Sequence, residues 1–149
     1  MALEIERKFL VVSDAYRELA SEVHTIEQGY ICRVPNGIVR VRVLDERAFI
    51  TVKTRKVGIV RYEWEYEIPV AEAREMLAKV CGGSSVSKRR YIVPTADGRR
   101  WEIDEFGGKH AGLVVAEIEL PSENAPFERP GFIGGEVTGD ARYYNSNLI

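Results

Sequence analysis

Near its start the chain reads Glu-Ile-Glu-Arg-Lys-Phe over residues 4–9. On a β-strand alternate residues share a face, so Glu4, Glu6 and Lys8 would line one side of a single short strand. Two carboxylates about 7 Å apart on one face repel each other, an arrangement that makes sense when a cation lies between them. The same alternation recurs along the chain with charges of both signs, and it carries most of the information about fold and function.

The chain has 149 residues and an ordinary globular composition, so we expect a single domain over residues 1–149. The formal net charge is −2, whereas non-specific binders of nucleic acids or membranes are usually basic, and neither partner is expected. Charge begins at Glu4, which is unlike a signal peptide, and no apolar run approaches the roughly 20 residues of a membrane helix. The predicted location is the cytoplasm. Cys32 and Cys81 lack CxxC spacing and are predicted to be reduced core residues.

Short runs rich in Val, Ile, Tyr, Phe and Trp, separated by turn residues, predict a mainly β protein of eight strands. These runs cover residues 2–12, 26–34, 38–45, 47–55, 59–69, 86–94, 99–106 and 113–121. Pro35-Asn36-Gly37 predicts a hairpin turn between the second and third runs, and Asp97-Gly98 predicts one between the sixth and seventh.

Three segments predict helices that would pack outside the sheet. Ser13 can cap a helix that runs through Ala20, and an apolar stripe predicts a second helix over residues 70–81. Asp140 can cap a last helix near the C-terminus. The stretch 122–139 is rich in Pro, Gly and acidic residues and predicts a surface loop.

Most strands carry charges on one face and apolar residues on the other. A single strand of this kind would ordinarily expose its charges to water. Here, however, the charges within one strand are mostly of one sign, and like charges side by side destabilise a solvated face. The charged faces of the third to eighth strands hold Arg40 and Arg42; Thr51 and Lys53; Arg61, Glu63 and Glu65; Lys88 and Arg90; Glu102 and Asp104; and Glu117 and Glu119.

Eight antiparallel strands with few helices are typical of a closed barrel or a sandwich. The charge pattern favours a closed antiparallel barrel, because turning these faces inward brings acidic and basic strands together around one cavity. Six cations in such a cavity suit a polyanion with several phosphoryl groups, since the arginine fork matches phosphate oxygens. The carboxylates would repel this polyanion, so they need Mg²⁺ or Mn²⁺ between them and the phosphates.

At this point the residues resemble a known family. Glu4-x-Glu6-x-Lys8 resembles the signature of the CYTH domain, the triphosphate tunnel metalloenzymes, and residues 135–146 resemble the closing segment of its small bacterial members. Further matches follow in order along almost the whole chain: Arg40-x-Arg42, Lys53, Arg61-x-Glu63-x-Glu65, Lys88-x-Arg90, Asp104 and Glu117-x-Glu119. The resemblance implies an eight-stranded β-tunnel and metal-dependent hydrolysis or rearrangement of triphosphates.

The resemblance also implies roles for individual residues. The implied substrate-binding residues are Lys8, Arg40, Arg42, Lys53, Lys88 and Arg90. The implied metal ligands are Glu4, Glu6, Asp104, Glu117 and Glu119, of which Asp104 and Glu117 would support a second metal or the attacking water. The implied catalytic residues are Lys8, Glu63, Glu65 and Glu117.

The family includes enzymes that act on inorganic triphosphate, thiamine triphosphate, RNA 5′-triphosphate or ATP. The chain has many residues suited to phosphate and no aromatic cluster set aside for a base or a thiazolium, so inorganic triphosphate is the expected substrate. Adenylate cyclase or thiamine triphosphatase activity stays open, as does a polyphosphate-binding module without catalysis. A barrel whose charges are simply solvated would neither bind nor hydrolyse triphosphate.

Three aromatic residues have a predicted place in the barrel wall. Trp64 and Trp101 lie on the parity opposite to the charges and are expected on the outer face. Tyr30 lies on the polar parity, where it could contact a phosphate or pack in the core.

Because three short helices give little cover to the apolar outer face, we expect a homodimer.

Overall fold

Eight antiparallel strands form a closed ring in the structure, a computed structural model that describes residues 3–149. The strands are β1 (Leu3–Val11), β2 (Glu22–Val34), β3 (Gly37–Leu44), β4 (Arg47–Thr54), β5 (Val60–Ile68), β6 (Ser85–Pro94), β7 (Arg100–Phe106) and β8 (Val114–Glu119). Their order is β5-β4-β3-β2-β6-β7-β8-β1, and the pairing of β1 with β5 closes the barrel. The closed barrel expected from the alternating charges is confirmed.

The strand boundaries agree with the sequence-based ones to within about two residues, except at the start of β2, and one further strand was not predicted. β2 begins at Glu22, four residues before the predicted start, and Ala2 of the first predicted run lies outside the described residues. The segment predicted as a loop contains a ninth strand, β9 (Ile133–Glu136), which pairs with β1 outside the ring. Its sequence, Ile-Gly-Gly-Glu, has no alternation, and the strand is held by the ion pair between Arg7 and Glu136.

The helices are shorter than predicted. α1 (Tyr16–Leu19) is one turn long and has no side-chain cap from Ser13, whereas α2 (Val70–Lys79) covers most of the predicted range. The predicted C-terminal helix is wrong: two one-turn 3-10 helices, Ala141–Tyr143 and Asn145–Asn147, are separated by extended backbone at Tyr144. No helix within residues 3–149 is long and apolar enough to cross a membrane.

The apolar core lies outside the ring, between the barrel wall and the segments that cover it. Phe9, Trp101 and Phe132 are almost fully buried there, and Ala73 and Leu77 of α2 form a second cluster against β3. Both tryptophans lie on the outer face as predicted. Trp101 is covered, whereas Trp64 stays 41% exposed and stacks on Tyr62.

One prediction about the cysteines is wrong. Cys81 is buried as expected, but Cys32 is exposed. A register shift between Tyr30 and Cys32 interrupts the alternation of β2 just before the hairpin, so the side chains beyond it no longer follow the parity of the preceding residues.

Candidate active site

The inside of the barrel is a cavity of about 670 Å³ lined mainly by charged side chains. Every residue predicted for the site except Asp104 lines this cavity: Glu4, Glu6, Lys8, Arg40, Arg42, Lys53, Glu63, Glu65, Lys88, Arg90, Glu117 and Glu119. The alternation explains this result, because side chains of one parity on each strand all point to one side of the wall.

The basic part of the wall is built on β3 and its neighbours. In β3, Arg40 pairs with Thr51 of β4, and the Arg40 Nη2 atom lies 3.3 Å from the Thr51 hydroxyl and 3.4 Å from a Glu65 carboxylate oxygen. The Arg40 Nε atom is buried and has no hydrogen-bond partner among residues 3–149. Burial, together with the nearby cations Arg40 and Arg90, lowers the pKa of Arg42 to about 9. Crowded, incompletely bonded arginines of this kind are suited to a polyanion.

Lys88 and Arg90 share one carboxylate, that of Asp104. Arg90 donates to both Asp104 oxygens over 2.7 and 2.9 Å, and the Lys88 ammonium lies 2.7 Å from Asp104 Oδ2. Burial alone would raise the pKa of Asp104, but Arg90 and Lys88 hold it well below its usual range. Asp104 thus lies beneath the two cations and does not reach the cavity itself.

The acidic part of the wall is formed by β1, β7 and β8. Glu6 pairs in register with Glu119, and Glu117 lies between Lys8 and Glu102 on the two neighbouring strands. Burial and the Glu117 carboxylate raise the pKa of Glu6 well above its usual value. Burial, followed by repulsion from Glu4 and Glu102, also raises the pKa of Glu119. These carboxylates are too crowded for all of them to ionise readily.

Lys53 joins the acidic part to β4 and β5. Its ammonium lies 2.9 Å from Glu63 and 3.4 Å from Glu4, and Arg61 donates to the same Glu4 oxygen over 3.2 Å. Although burial acts in the opposite direction, Lys53 and the contact with Glu63 lower the pKa of Glu4 to about 2. Burial and Glu4 raise the pKa of Glu63. The two carboxylates therefore have clearly different affinities for a proton.

The donor set of the acidic wall suits a hard divalent cation. Carboxylate oxygens are the ligands that Mg²⁺ and Mn²⁺ prefer, and the raised pKa values of Glu6 and Glu119 show that added positive charge would relieve repulsion there. Within the described chain, no three carboxylate, imidazole or thiolate groups are close enough to hold a metal ion as they stand. A bound cation would thus have to draw side chains of this wall together.

Several cavity residues were missed by the sequence analysis. From the C-terminal segment, the Tyr143 carbonyl accepts a hydrogen bond from Lys8 over 2.9 Å, and Asn145 Oδ1 accepts one from Lys88 over 2.7 Å. Lys56, in the β4–β5 connection, lies 5.4 Å from the Tyr144 ring. None of these positions belongs to an alternating strand, so the period-two pattern gives no signal for them.

Comparisons with known proteins agree with this geometry. The sequence profile of the CYTH domain matches residues 2–144. The chain is 52% identical over 149 residues to an inorganic triphosphatase from Acetivibrio thermocellus, covering 100% of this chain and 94% of that protein. It is 38% identical over 148 residues to an inorganic triphosphatase from Nitrosomonas europaea, covering 97% and 95%. The crystal structure of the inorganic triphosphatase NE1496 matches with a TM-score of 0.68 and 35% identity, covering 99% of this chain and 95% of that one.

Proposed function

The chain belongs to the CYTH domain family, and we propose that this single domain hydrolyses inorganic triphosphate to pyrophosphate and phosphate inside its barrel. One observation carries the proposal above all. Six of the seven cations of the charge pattern are buried around one cavity that they share with carboxylates, and the seventh, Arg61, is partly exposed; the six are Lys8, Arg40, Arg42, Lys53, Lys88 and Arg90. Burying so many ionic groups is costly unless a ligand of opposite charge uses them.

The six cations are proposed to bind the phosphoryl oxygens of the substrate. Arg40 has a buried nitrogen without a partner within the described chain, and Arg42 has both terminal nitrogens available, so each can form charge-assisted bonds to phosphate. Lys8, 3.7 Å from Glu117, lies where the acidic and basic parts of the wall meet. We therefore assign it a second, catalytic role in stabilising charge on the phosphoryl group under attack.

The metal is proposed to be Mg²⁺ or Mn²⁺, held by Glu4, Glu6, Glu117 and Glu119. When bound, the ion neutralises charge on the phosphoryl oxygens and lets the carboxylates and the polyanion occupy one cavity. Asp104 remains a predicted ligand, but its two oxygens are engaged by Arg90 and Lys88, so it would reach a metal only after that pairing opens.

One of three carboxylates, that of Glu63, Glu65 or Glu117, is proposed to orient the attacking water. Glu63 and Glu117 line the cavity beside Lys53 and Lys8, and Glu65 accepts a hydrogen bond from Thr51 over 2.8 Å at a more exposed position. Phosphoryl transfer needs little covalent participation by the protein, because positioning and stabilisation of charge supply most of the catalysis. A carboxylate that holds the water in line with the terminal phosphorus completes this arrangement.

The aromatic residues of the cavity favour inorganic triphosphate over ATP and thiamine triphosphate. Tyr30, Phe49 and Tyr144 line the cavity. The Tyr30 hydroxyl accepts a bond from Gln28, and cationic side chains lie near the other two rings. Arg47 and Lys56 therefore compete with a base for the rings of Phe49 and Tyr144, and this competition favours a substrate without an organic group.

An assay of phosphate release tests the proposed function. Inorganic triphosphate, ATP, thiamine triphosphate and pyrophosphate are compared with Mg²⁺, with Mn²⁺ and with excess chelator. We expect the highest kcat/KM for inorganic triphosphate, little cleavage of pyrophosphate, which is too short to contact all the cations, and no turnover in chelator. Formation of cyclic AMP from ATP would establish the cyclase instead, and binding without turnover would establish a polyphosphate-binding module.

Two further proposals concern where and in what form the enzyme acts. A triphosphate substrate is consistent with action in the cytoplasm.

The outer face of β5 exposes Tyr62, Trp64 and Tyr66, which are 44%, 41% and 63% exposed. Exposed aromatic strips of this kind are typical of protein interfaces, and we propose that this one joins two copies of the chain.

A further inference from the structure

Gln28 is a fully buried polar residue in the wall of the cavity. It lies in β2 directly opposite Arg42 of β3, and none of its surface is exposed. Its Oε1 atom accepts a hydrogen bond from Arg42 Nε over 2.8 Å. Its Nε2 atom donates to the Tyr30 hydroxyl over 3.0 Å and to Asn145 Oδ1 over 3.3 Å. One neutral side chain thus contacts three residues that line the cavity.

The orientation of the Gln28 amide follows from the chemistry of its partners. An arginine can only donate hydrogen bonds, so the oxygen of the amide must face Arg42 and its nitrogen must face Tyr30 and Asn145. Asn145 is oriented in the same way, because Lys88 also only donates and lies 2.7 Å from the same oxygen. The Gln28 amide therefore has one arrangement that satisfies all its neighbours.

Arg42 differs from the other five cations in what holds it. Each of the others has a carboxylate oxygen within 4.0 Å: Lys8 has Glu117, Arg40 has Glu65, Lys53 has Glu4 and Glu63, and Lys88 and Arg90 have Asp104. Within residues 3–149, Arg42 forms no such ion pair, and its side chain is held by the amide of Gln28. Its positive charge is consequently not cancelled by the protein.

We propose that Gln28 is a positioning residue: it orients the Arg42 guanidinium toward the substrate and leaves the positive charge of Arg42 available. This inference rests on the triphosphate binding described under the proposed function. Because Gln28 holds the Nε atom, both terminal nitrogens of Arg42 stay free for a bidentate contact with one phosphoryl group. A carboxylate in the same place would hold the guanidinium equally well but would neutralise it, so a neutral amide is the side chain suited to this role.

The inference is tested with two variants that separate the orientation of the Arg42 side chain from its charge. Gln28→Met keeps a similar volume but removes all three side-chain hydrogen bonds, and Gln28→Glu keeps an acceptor for Arg42 while adding a negative charge. Glu27→Gln, at the neighbouring position on the outer face of β2, is the matched control. Affinity is measured by calorimetry with Mg²⁺ and a non-hydrolysable analogue of inorganic triphosphate, and kcat and KM are measured with Mg²⁺ and inorganic triphosphate.

We expect both Gln28 variants to bind triphosphate about ten-fold or more weakly than the wild type, since a hydrogen bond to a charged group is lost or its charge is cancelled. The melting temperature of Gln28→Glu should fall less than that of Gln28→Met, because the new ion pair with Arg42 offsets the lost donation to Tyr30 and Asn145. A purely structural role would instead make stability and affinity fall together. Wild-type affinity in Gln28→Glu, or in both variants, would overturn the proposal.

A double-mutant cycle with Arg42→Met provides the decisive control. If Gln28 acts through Arg42, Gln28→Met should change affinity less than two-fold once Arg42 is already replaced. An equal loss in both backgrounds would refute the positioning role. A wild type that binds triphosphate without hydrolysing it would refute the proposed function but leave this test intact, whereas a wild type that does not bind triphosphate would refute both.

Discussion

The Lys88 ammonium lies 2.7 Å from the Asp104 carboxylate, and both side chains are only 1% exposed. Arg90 bonds to both oxygens of the same carboxylate and also lies 3.3 Å from Glu102, so Asp104 is the carboxylate that the two buried cations share. Within residues 3–149, Lys88 has no other carboxylate within 4.0 Å, so its charge depends on Asp104. The stability of the free protein and the pH dependence of triphosphate binding should both reflect this pair.

Asp104→Asn should destabilise the free protein by about 3–5 kcal/mol, because it leaves the buried Lys88 without its counter-charge and Arg90 with Glu102 alone. Triphosphate should restore part of the lost stability by binding the native state. Chemical denaturation with and without triphosphate measures both effects. Asp14→Asn, the same change at an exposed position, is the control and should leave the midpoint almost unchanged. Equal midpoints for the two variants would contradict the role given to Asp104.

Lys88 should make triphosphate binding sensitive to pH. Burial, against the opposing effect of Asp104, lowers the pKa of Lys88 to about 7. The free protein thus loses this proton as the pH rises above 7, and affinity for triphosphate should fall over the same range. Calorimetry with Mg²⁺ and a non-hydrolysable triphosphate analogue, from roughly pH 6 to pH 9 on either side of that pKa, should show a larger fall in affinity for the wild type than for Lys88→Met. The variant also corrects for titration of the substrate itself.

The same shift gives stability the opposite dependence on pH. Unfolded Lys88 keeps its proton up to about 10.5, whereas folded Lys88 loses it near 7, so between these values the unfolded state binds more protons. The contribution of Lys88 to the stability of the free protein therefore rises with pH across this window. Thermal unfolding of the wild type and of Lys88→Met should diverge in the direction that favours the wild type. Parallel curves would show that Lys88 has an ordinary pKa.

The alternating charges predicted the barrel and most of the site because a strand has a period of two residues. Once one face of each strand is assigned to the interior, the positions of Glu6, Arg42 and Lys53 follow from sequence alone. The position of Asp104 beneath its two cations does not follow, since it depends on which neighbouring side chains reach it. Gln28 carries no charge and so stood outside the pattern, although it has the same parity as Tyr30.

The C-terminal part of the site was beyond prediction for another reason. Asn145 contacts Gln28 across a sequence separation of 117 residues, and its path to the cavity depends on loops without periodicity. β9 was missed because two glycines interrupt any alternation, and the predicted C-terminal helix was wrong because the chain turns to bring the Tyr143 carbonyl to Lys8. Tertiary contacts determine the structure at these positions, and local propensity does not.

The aromatic strip on β5 should hold two copies of the chain together. Aromatic side chains bury about 150–250 Å² each, so Tyr62, Trp64 and Tyr66 offer a substantial apolar contact. Light scattering after size-exclusion chromatography should give twice the chain mass for the wild type. Trp64→Lys should lower the measured mass to that of the monomer without a change in kcat. Val12→Lys, at a 67% exposed apolar position elsewhere, should have no effect on the mass. A monomeric wild type at high concentration would contradict the proposed dimer.

Glu6→Gln should separate metal binding from stability. Burial and repulsion from Glu117 raise the pKa of Glu6, so replacing this carboxylate by a neutral amide relieves strain in the free protein, and the melting temperature should hold or rise. The same change removes a charged ligand, so the Mg²⁺ or Mn²⁺ concentration for half-maximal rate should increase and kcat/KM should fall about 100-fold or more.

Direct calorimetric titration of Glu6→Gln with the metal gives a readout that does not depend on turnover. Glu46→Gln, in the exposed β3–β4 turn, is the control and should match the wild type in both measurements. Unchanged metal affinity in Glu6→Gln would remove Glu6 from the proposed ligands, and full wild-type activity in excess chelator would contradict the metal-dependent mechanism as a whole.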